Sequence, residues 1–77
     1  RNMKIDLHGL TYKQAVLRVE NELIMNQIYK ENTVEIITGK SILMQNTIIR
    51  EVLDKYEFKY HIPTSNTGVL IVDETLL

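Results

Sequence analysis

Apolar and polar positions alternate with a period of two at the start of the chain. Met3, Ile5 and Leu7 fall on one side, Lys4 and Asp6 on the other, which predicts a half-buried strand over residues 3–7. His8-Gly9 breaks that pattern. Thr11-Tyr12-Lys13-Gln14 then has the form of a capping box, a hydroxyl for an exposed amide with a Gln three residues on. A helix is predicted from about Tyr12 to about Tyr29, with Ala15, Val16, Val19, Leu23 and Ile28 forming one apolar stripe. Leu17 and Ile24 lie off the stripe, so its buried face is broad or a partner covers part of it.

After a polar connection over residues 30–33, Val34-Glu35-Ile36-Ile37 reads as a second, largely apolar strand in the middle of a sheet. Thr38-Gly39-Lys40-Ser41 is the loop that follows. A second helix begins at Ser41 or Ile42 and runs to about Tyr56, with Met44 or Gln45, Ile48 or Ile49, Val52 and Leu53 on its stripe. Phe58, Tyr60 and Ile62 alternate with Lys59 and His61 in a third strand. Residues 63–68 are turn-rich. The unbroken run Val69-Leu70-Ile71-Val72 predicts a last strand that is central or buried on both faces. The order β-α-β-α-β-β implies parallel β-α-β neighbours with right-handed crossovers and a closing hairpin. The expected fold is α/β in the two-layer α+β sense: a four-stranded mixed sheet with two helices on one face, residues 1–77 forming one domain.

Composition narrows the chemistry. At 77 residues the chain buries only about 60% of its unfolded surface, and with no cysteine it has neither a disulfide nor a thiolate nucleophile. No apolar run reaches membrane-spanning length, and residues 1–4 lead into a strand rather than a secretion signal, so a cytoplasmic location and no membrane partner are expected. Nine Lys and Arg against ten Asp and Glu give a formal charge of −1. Binding to nucleic acid would therefore depend on a local basic face rather than on bulk charge.

Two stretches carry chemistry. In a strand, Asp6 and His8 line one face, and both stand where a strand gives way to a helix, the edge at which α/β folds collect ligands. A carboxylate beside an imidazole can serve as a base with its orienting partner, or hold a metal or a phosphate; equally, it is a polar strand end with a solvated His and an Asp that helps the next turn. Thr38-Gly39-Lys40-Ser41 also leaves a strand and opens a helix. Gly39 permits close backbone approach, the helix start offers free amides, and Lys40 adds a charge, although the stretch lacks the first glycine and the length of a P-loop. With the first two strands adjacent, Asp6, His8, Gly39 and Lys40 would surround one cleft suited to a phosphodiester. Tyr12, placed for stacking on a base or for packing on the helix, and Lys13 are expected near the same edge. His61 reads as a surface residue.

The pattern resembles the Smr (small MutS-related) family. That family opens with Leu-Asp-Leu-His-Gly, here Ile5-Asp6-Leu7-His8-Gly9. It continues with an early helical Ala, here Ala15, and a strand ending in a Gly-x-Gly loop, here Thr38-Gly39-Lys40-Ser41. It closes with a glycine turn into an apolar strand, here Gly68-Val69-Leu70-Ile71-Val72. The resemblance implies a fold similar to the C-terminal half of translation initiation factor three. It also implies DNA-nicking or RNA endonuclease activity, in some members on messenger RNA at stalled or collided ribosomes. By resemblance, Asp6 and His8 are tied to cleavage, and Gly39 with Lys40 helps bind the backbone. The second loop glycine is Ser41 here, followed by Ile42 and Leu43, which makes the loop stiffer and more apolar than the family norm.

Three readings follow. In the first, the domain is an endonuclease with Asp6 and His8 catalytic, and Gly9, Tyr12, Lys13, Thr38, Gly39, Lys40 and Ser41 binding nucleic acid. RNA is preferred because it brings its own nucleophile, the 2′-hydroxyl; Mg2+ is the one cofactor left open. In the second, the domain binds RNA, DNA or the ribosome without catalysis. In the third, Ile42 and Leu43, with Leu17 and Ile24, form an apolar patch that meets a protein partner or a second copy of the chain.

Overall fold

A computed structural model describes residues 2–73. Its elements are β1 (Asn2–Asp6), α1 (Tyr12–Glu20), β2 (Thr33–Ile37), α2 (Ile42–Ile48), β3 (Tyr60–His61) and β4 (Val69–Val72). The sheet order is β1-β2-β4-β3. β1 runs parallel to β2 with Asp6 opposite Ile37; β4 lies antiparallel to both β2 and β3. The expected four-stranded mixed sheet, its parallel first pair and its closing antiparallel pair are all present, and the apolar run Val69–Val72 is an interior strand.

One core forms between the helices and one face of the sheet. Ile5, Val34, Ile36, Leu70 and Val72 from the strands are fully buried against Ala15, Val19, Leu23, Ile48, Val52 and Leu53. Because side chains alternate along a strand, Lys4, Asp6, Glu35, Ile37 and Ile71 belong to the face turned away from the helices. Lys4 and Glu35 form an ion pair across that face, at 3.9 Å.

The helix ends depart from the periodic pattern. α1 begins as predicted, with Thr11 Oγ1 accepting from the Gln14 amide at 3.1 Å and Gln14 Oε1 accepting from the Thr11 amide at 3.0 Å. Regular winding ends at Glu20 and continues as a wide turn over Asn21–Met25, closed by an amide-to-fifth-carbonyl bond from Asn26 to Asn21 at 2.9 Å. Gln27 then adopts φ +52, and Ile28–Lys30 is a separate short 3-10 turn. The helix therefore stops short of Tyr29. A left-handed residue ends it, and Gln at that place sends no signal.

Ile42–Ile48 likewise passes into a wide turn over Ile49–Leu53. Its end is a Schellman cap. Phe58 donates its amide to the Leu53 carbonyl at 2.7 Å, Glu57 donates to Asp54 at 3.2 Å, and Glu57 holds φ +61. The helical run ends at Leu53, short of the predicted Tyr56, and this cap follows it. The cap takes Phe58 out of the third strand, which shrinks to Tyr60–His61. Phe58 instead packs edge-on against Tyr29, ring centroids 4.9 Å apart, while Ile62 is exposed. Among the described residues no helix is long and apolar enough to cross a membrane.

Candidate functional site

The carboxyl ends of β1 and β2 open on a cleft of about 230 Å³ lined by Asp6, His8, Ile37, Thr38 and Gly39. Its first wall follows from local sequence. β1 ends at Asp6; Leu7 still donates its amide to the Ile37 carbonyl at 3.1 Å and buries its side chain. The chain then reverses through Leu7–Leu10, with a Leu10-to-Leu7 bond of 3.2 Å and Gly9 at φ +79 in third position. That is the requirement of a type II turn, which is why a glycine follows His8. His8 occupies the second, outward position and is exposed.

Asp6 closes this turn. Its Oδ1 accepts the His8 backbone N–H at 2.9 Å. Among the described residues the ion pairs are Lys4–Glu35 and Arg50–Glu51, so the Asp6 carboxylate and the His8 imidazole share a cleft without forming a pair within 4.0 Å. Nor do three His, Cys, Asp or Glu come together anywhere among the described residues.

The opposite wall is Thr38-Gly39, and a brace that the sequence pattern did not signal holds it. Thr38 donates its amide to the Gly68 carbonyl at 3.0 Å and its hydroxyl to the same oxygen at 3.1 Å. Gly68 in turn donates to Asn66 Oδ1 at 3.0 Å. It lies so close behind Gly39 that a Cβ at position 68 would stand 3.2 Å from the Gly39 carbonyl carbon. Gln45, a buried polar residue, donates to the Thr67 carbonyl at 2.6 Å and ties the same loop to α2. Gly39 itself sits at φ +68 with open space where a side chain would begin.

Ser41 explains the departure from a Gly-x-Gly loop. It is the N-cap of α2 at φ −79, a conformation open to any residue, and its Oγ accepts the Met44 amide at 3.1 Å. Lys40 is exposed and lies outside the cleft lining. Tyr12 and Lys13 do not reach this cleft. They line a separate groove of about 420 Å³ between α1 and the second helical run, with Val16, Leu17 and Arg50. Ile42 and Leu43 stand 71% and 67% exposed at the start of α2.

This cleft sits on the two stretches, Asp6–Gly9 and Thr38–Ser41, that carry the family pattern, and the Smr domain profile matches residues 5–73. The chain belongs to the Smr family. Over 76 residues this Smr domain is 30% identical to Endonuclease NBR9 of Saccharomyces cerevisiae, an alignment that takes in 91% of the chain but 32% of that protein. The domain thus spans about a third of the relative's length. No solved structure matches it significantly.

Proposed function

We propose that this Smr domain is an endonuclease acting on RNA, with the Asp6–His8 cleft as its active site. The observation that carries this reading is the convergence of Asp6, His8, Thr38 and Gly39 on one cleft at the ends of adjacent parallel strands. The name of the yeast relative supports it.

A phosphodiester seated in the cleft meets a left-handed Gly39 backbone that leaves room for phosphate oxygens, and an exposed imidazole. In RNA, His8 takes the proton of the 2′-hydroxyl as that oxygen attacks phosphorus. The bond from phosphorus to the 5′-oxygen breaks, and the leaving oxygen takes up a proton. The products are a 2′,3′-cyclic phosphate and a 5′-hydroxyl. This chemistry needs one proton-transfer group and one phosphate cradle, which matches a site this sparse. DNA lacks that hydroxyl, hence the preference for RNA. Asp6 is first a positioning residue, since its Oδ1 fixes the turn that presents His8. Were Mg2+ bound there, the Asp6 carboxylate would be the group to hold it, and the ion would supply charge neutralisation at the phosphate. Lys40, exposed beside the cleft, supplies long-range attraction to the strand, and the ribosome is a setting in which such a strand is presented.

The test is cleavage of labelled RNA and duplex DNA, with and without Mg2+, by wild type, His8→Ala, Asp6→Ala and Asp6→Asn. Equal cutting by all four would mean a contaminant. Asp6→Asn keeps an oxygen for the His8 amide, so it should cut well if Asp6 acts through the turn alone and poorly if its charge holds a cation. A second reading, a binding module without catalysis, is favoured by the absence of an Asp6–His8 ion pair. It predicts RNA or ribosome binding that falls with salt and survives His8→Ala with no product. The third, a protein partner seated on Ile42 and Leu43, rests on their exposure and predicts binding that Leu43→Glu abolishes.

A further inference from the structure

The groove between the two helical runs is larger than the Asp6–His8 cleft, and its lining is of a different kind. Tyr12, Val16 and Leu17 from α1 give it an apolar wall, with Lys13 beside them and Arg50 and Glu51 facing from the other helix. Tyr12 is 45% exposed and Leu17 53% exposed. Two cations against one carboxylate leave the groove a net positive charge in a chain whose overall charge is −1. Arg50 touches Glu51 through Nε at 3.3 Å, which leaves the other N–H groups of its guanidinium to face a ligand.

We infer that this groove is a second subsite for the same single-stranded nucleic acid that enters the cleft: a base stacks on the Tyr12 ring against Val16 and Leu17, and the flanking phosphates meet Lys13 and Arg50. An aromatic face set in a cationic groove is the pairing by which proteins hold single strands without reading sequence. Nearness to the cleft, together with the groove's positive charge, supports this occupant over a protein. Tyr12 follows His8 by four residues, so their Cα atoms lie at most about 14 Å apart. A stacked strand covers that distance in about four nucleotides. A strand whose phosphate sits at His8 is thus long enough to lay a base on Tyr12 a few nucleotides away. The inference rests on the endonuclease reading of the cleft and adds a footprint to it: substrates must extend several nucleotides beyond the reacting bond.

The experiment measures affinity for 2′-O-methyl RNA of four and of ten nucleotides, which lacks the attacking hydroxyl and stays intact. The ratio of the two dissociation constants is the readout. In wild type the ten-nucleotide strand should bind at least about tenfold more tightly, the factor that about 1.4 kcal/mol of base stacking supplies. Tyr12→Ala, Leu17→Glu and Arg50→Glu should collapse the ratio towards one, whereas Tyr12→Phe, which keeps the ring, should preserve it. A wild-type ratio near one, or groove variants with the wild-type ratio, overturns the inference. If wild type still cleaves RNA in that case, the groove alone fails; if it neither binds nor cleaves, the reading of the cleft fails with it. A chain that self-associates through the groove, with Leu17→Glu restoring the monomer, would also overturn it.

Discussion

Replacing Gly68 with alanine should shift the inner wall of the cleft without replacing any residue that lines it. Left-handed backbone is not the obstacle, because the positive-φ glycines are Gly9 and Gly39. Space is. A Cβ at position 68 would lie 3.2 Å from the Gly39 carbonyl carbon, 3.3 Å from its oxygen and 3.4 Å from Asn66 Oδ1. Carbon atoms prefer about 3.5–4.0 Å, so Gly39 has to yield by about 0.3 Å or more. It cannot yield freely, since Thr38 is bound to the Gly68 carbonyl through both its amide and its hydroxyl. Overpacking of this kind costs about 1–3 kcal/mol. The stiffer unfolded chain of alanine returns about 0.4–1 kcal/mol, for a net loss of about 0.5–2 kcal/mol. In a 77-residue domain a loss of about 1 kcal/mol lowers Tm by about 4–8 °C. A displacement of 1 Å at a reacting centre costs about 100-fold in rate, so about 0.3 Å should cost roughly fourfold. Thermal melts followed by circular dichroism, and cleavage rates taken well below the melt, read the two effects separately. Gly39→Ala is the control. Nothing stands within 4 Å of its Cβ, yet its φ of +68 costs about 1–2 kcal/mol, so it should lower Tm with no crowding. Gly68→Ala melting and cutting like wild type would refute the brace.

Substitutions at three further positions test the helix ends by denaturant unfolding. Ser41→Ala should cost about 1 kcal/mol and Ser41→Gly only a few tenths, because the hydroxyl caps Met44 and φ −79 gains nothing from glycine; equal losses would contradict the cap. Glu57→Gly should stabilise by about 0.5–1 kcal/mol by relieving a side chain at φ +61, and a loss of stability would show that Glu57 makes a contact worth more than the strain. Thr11→Ala should cost about 1 kcal/mol by opening the reciprocal pair with Gln14, and a neutral result would rule out that box.

Much of this fold is legible from periodicity. Ile5 and Leu7 alternate with Lys4 and Asp6 as they do in the sheet, and the unbroken run Val69–Val72 marks the strand enclosed between β2 and β3. Where the reading overran, the cause was local backbone that no side-chain type announces. Gln27 and Glu57 take left-handed conformations where a glycine would have been a signal, and the second of these redirects Phe58 from the sheet to Tyr29. In the site, spacing in β1 and in the following turn was enough to bring Asp6 and His8 to the strand end, and a parallel neighbour was enough to bring Thr38 and Gly39 beside them. The brace from Gly68, Asn66 and Gln45 was not legible, because it depends on contacts between residues 22 to 30 positions apart. Tyr12 and Lys13, expected near the same edge, stand in the first turn of α1 and line the interhelical groove rather than the cleft. The chain passes from the sheet layer to the helix layer between His8 and Tyr12, and a one-dimensional pattern does not show that change of layer.

The most direct test of the endonuclease reading is the rate at which pure domain cuts end-labelled single-stranded RNA, wild type beside His8→Ala. His8 is exposed, so the variant should melt like wild type, and loss of a proton-transfer group should slow cutting by about 100-fold or more, with the wild-type product ending in a 2′,3′-cyclic phosphate. Cutting by His8→Ala at the wild-type rate, or no cutting by a wild type that still binds the strand, would contradict it.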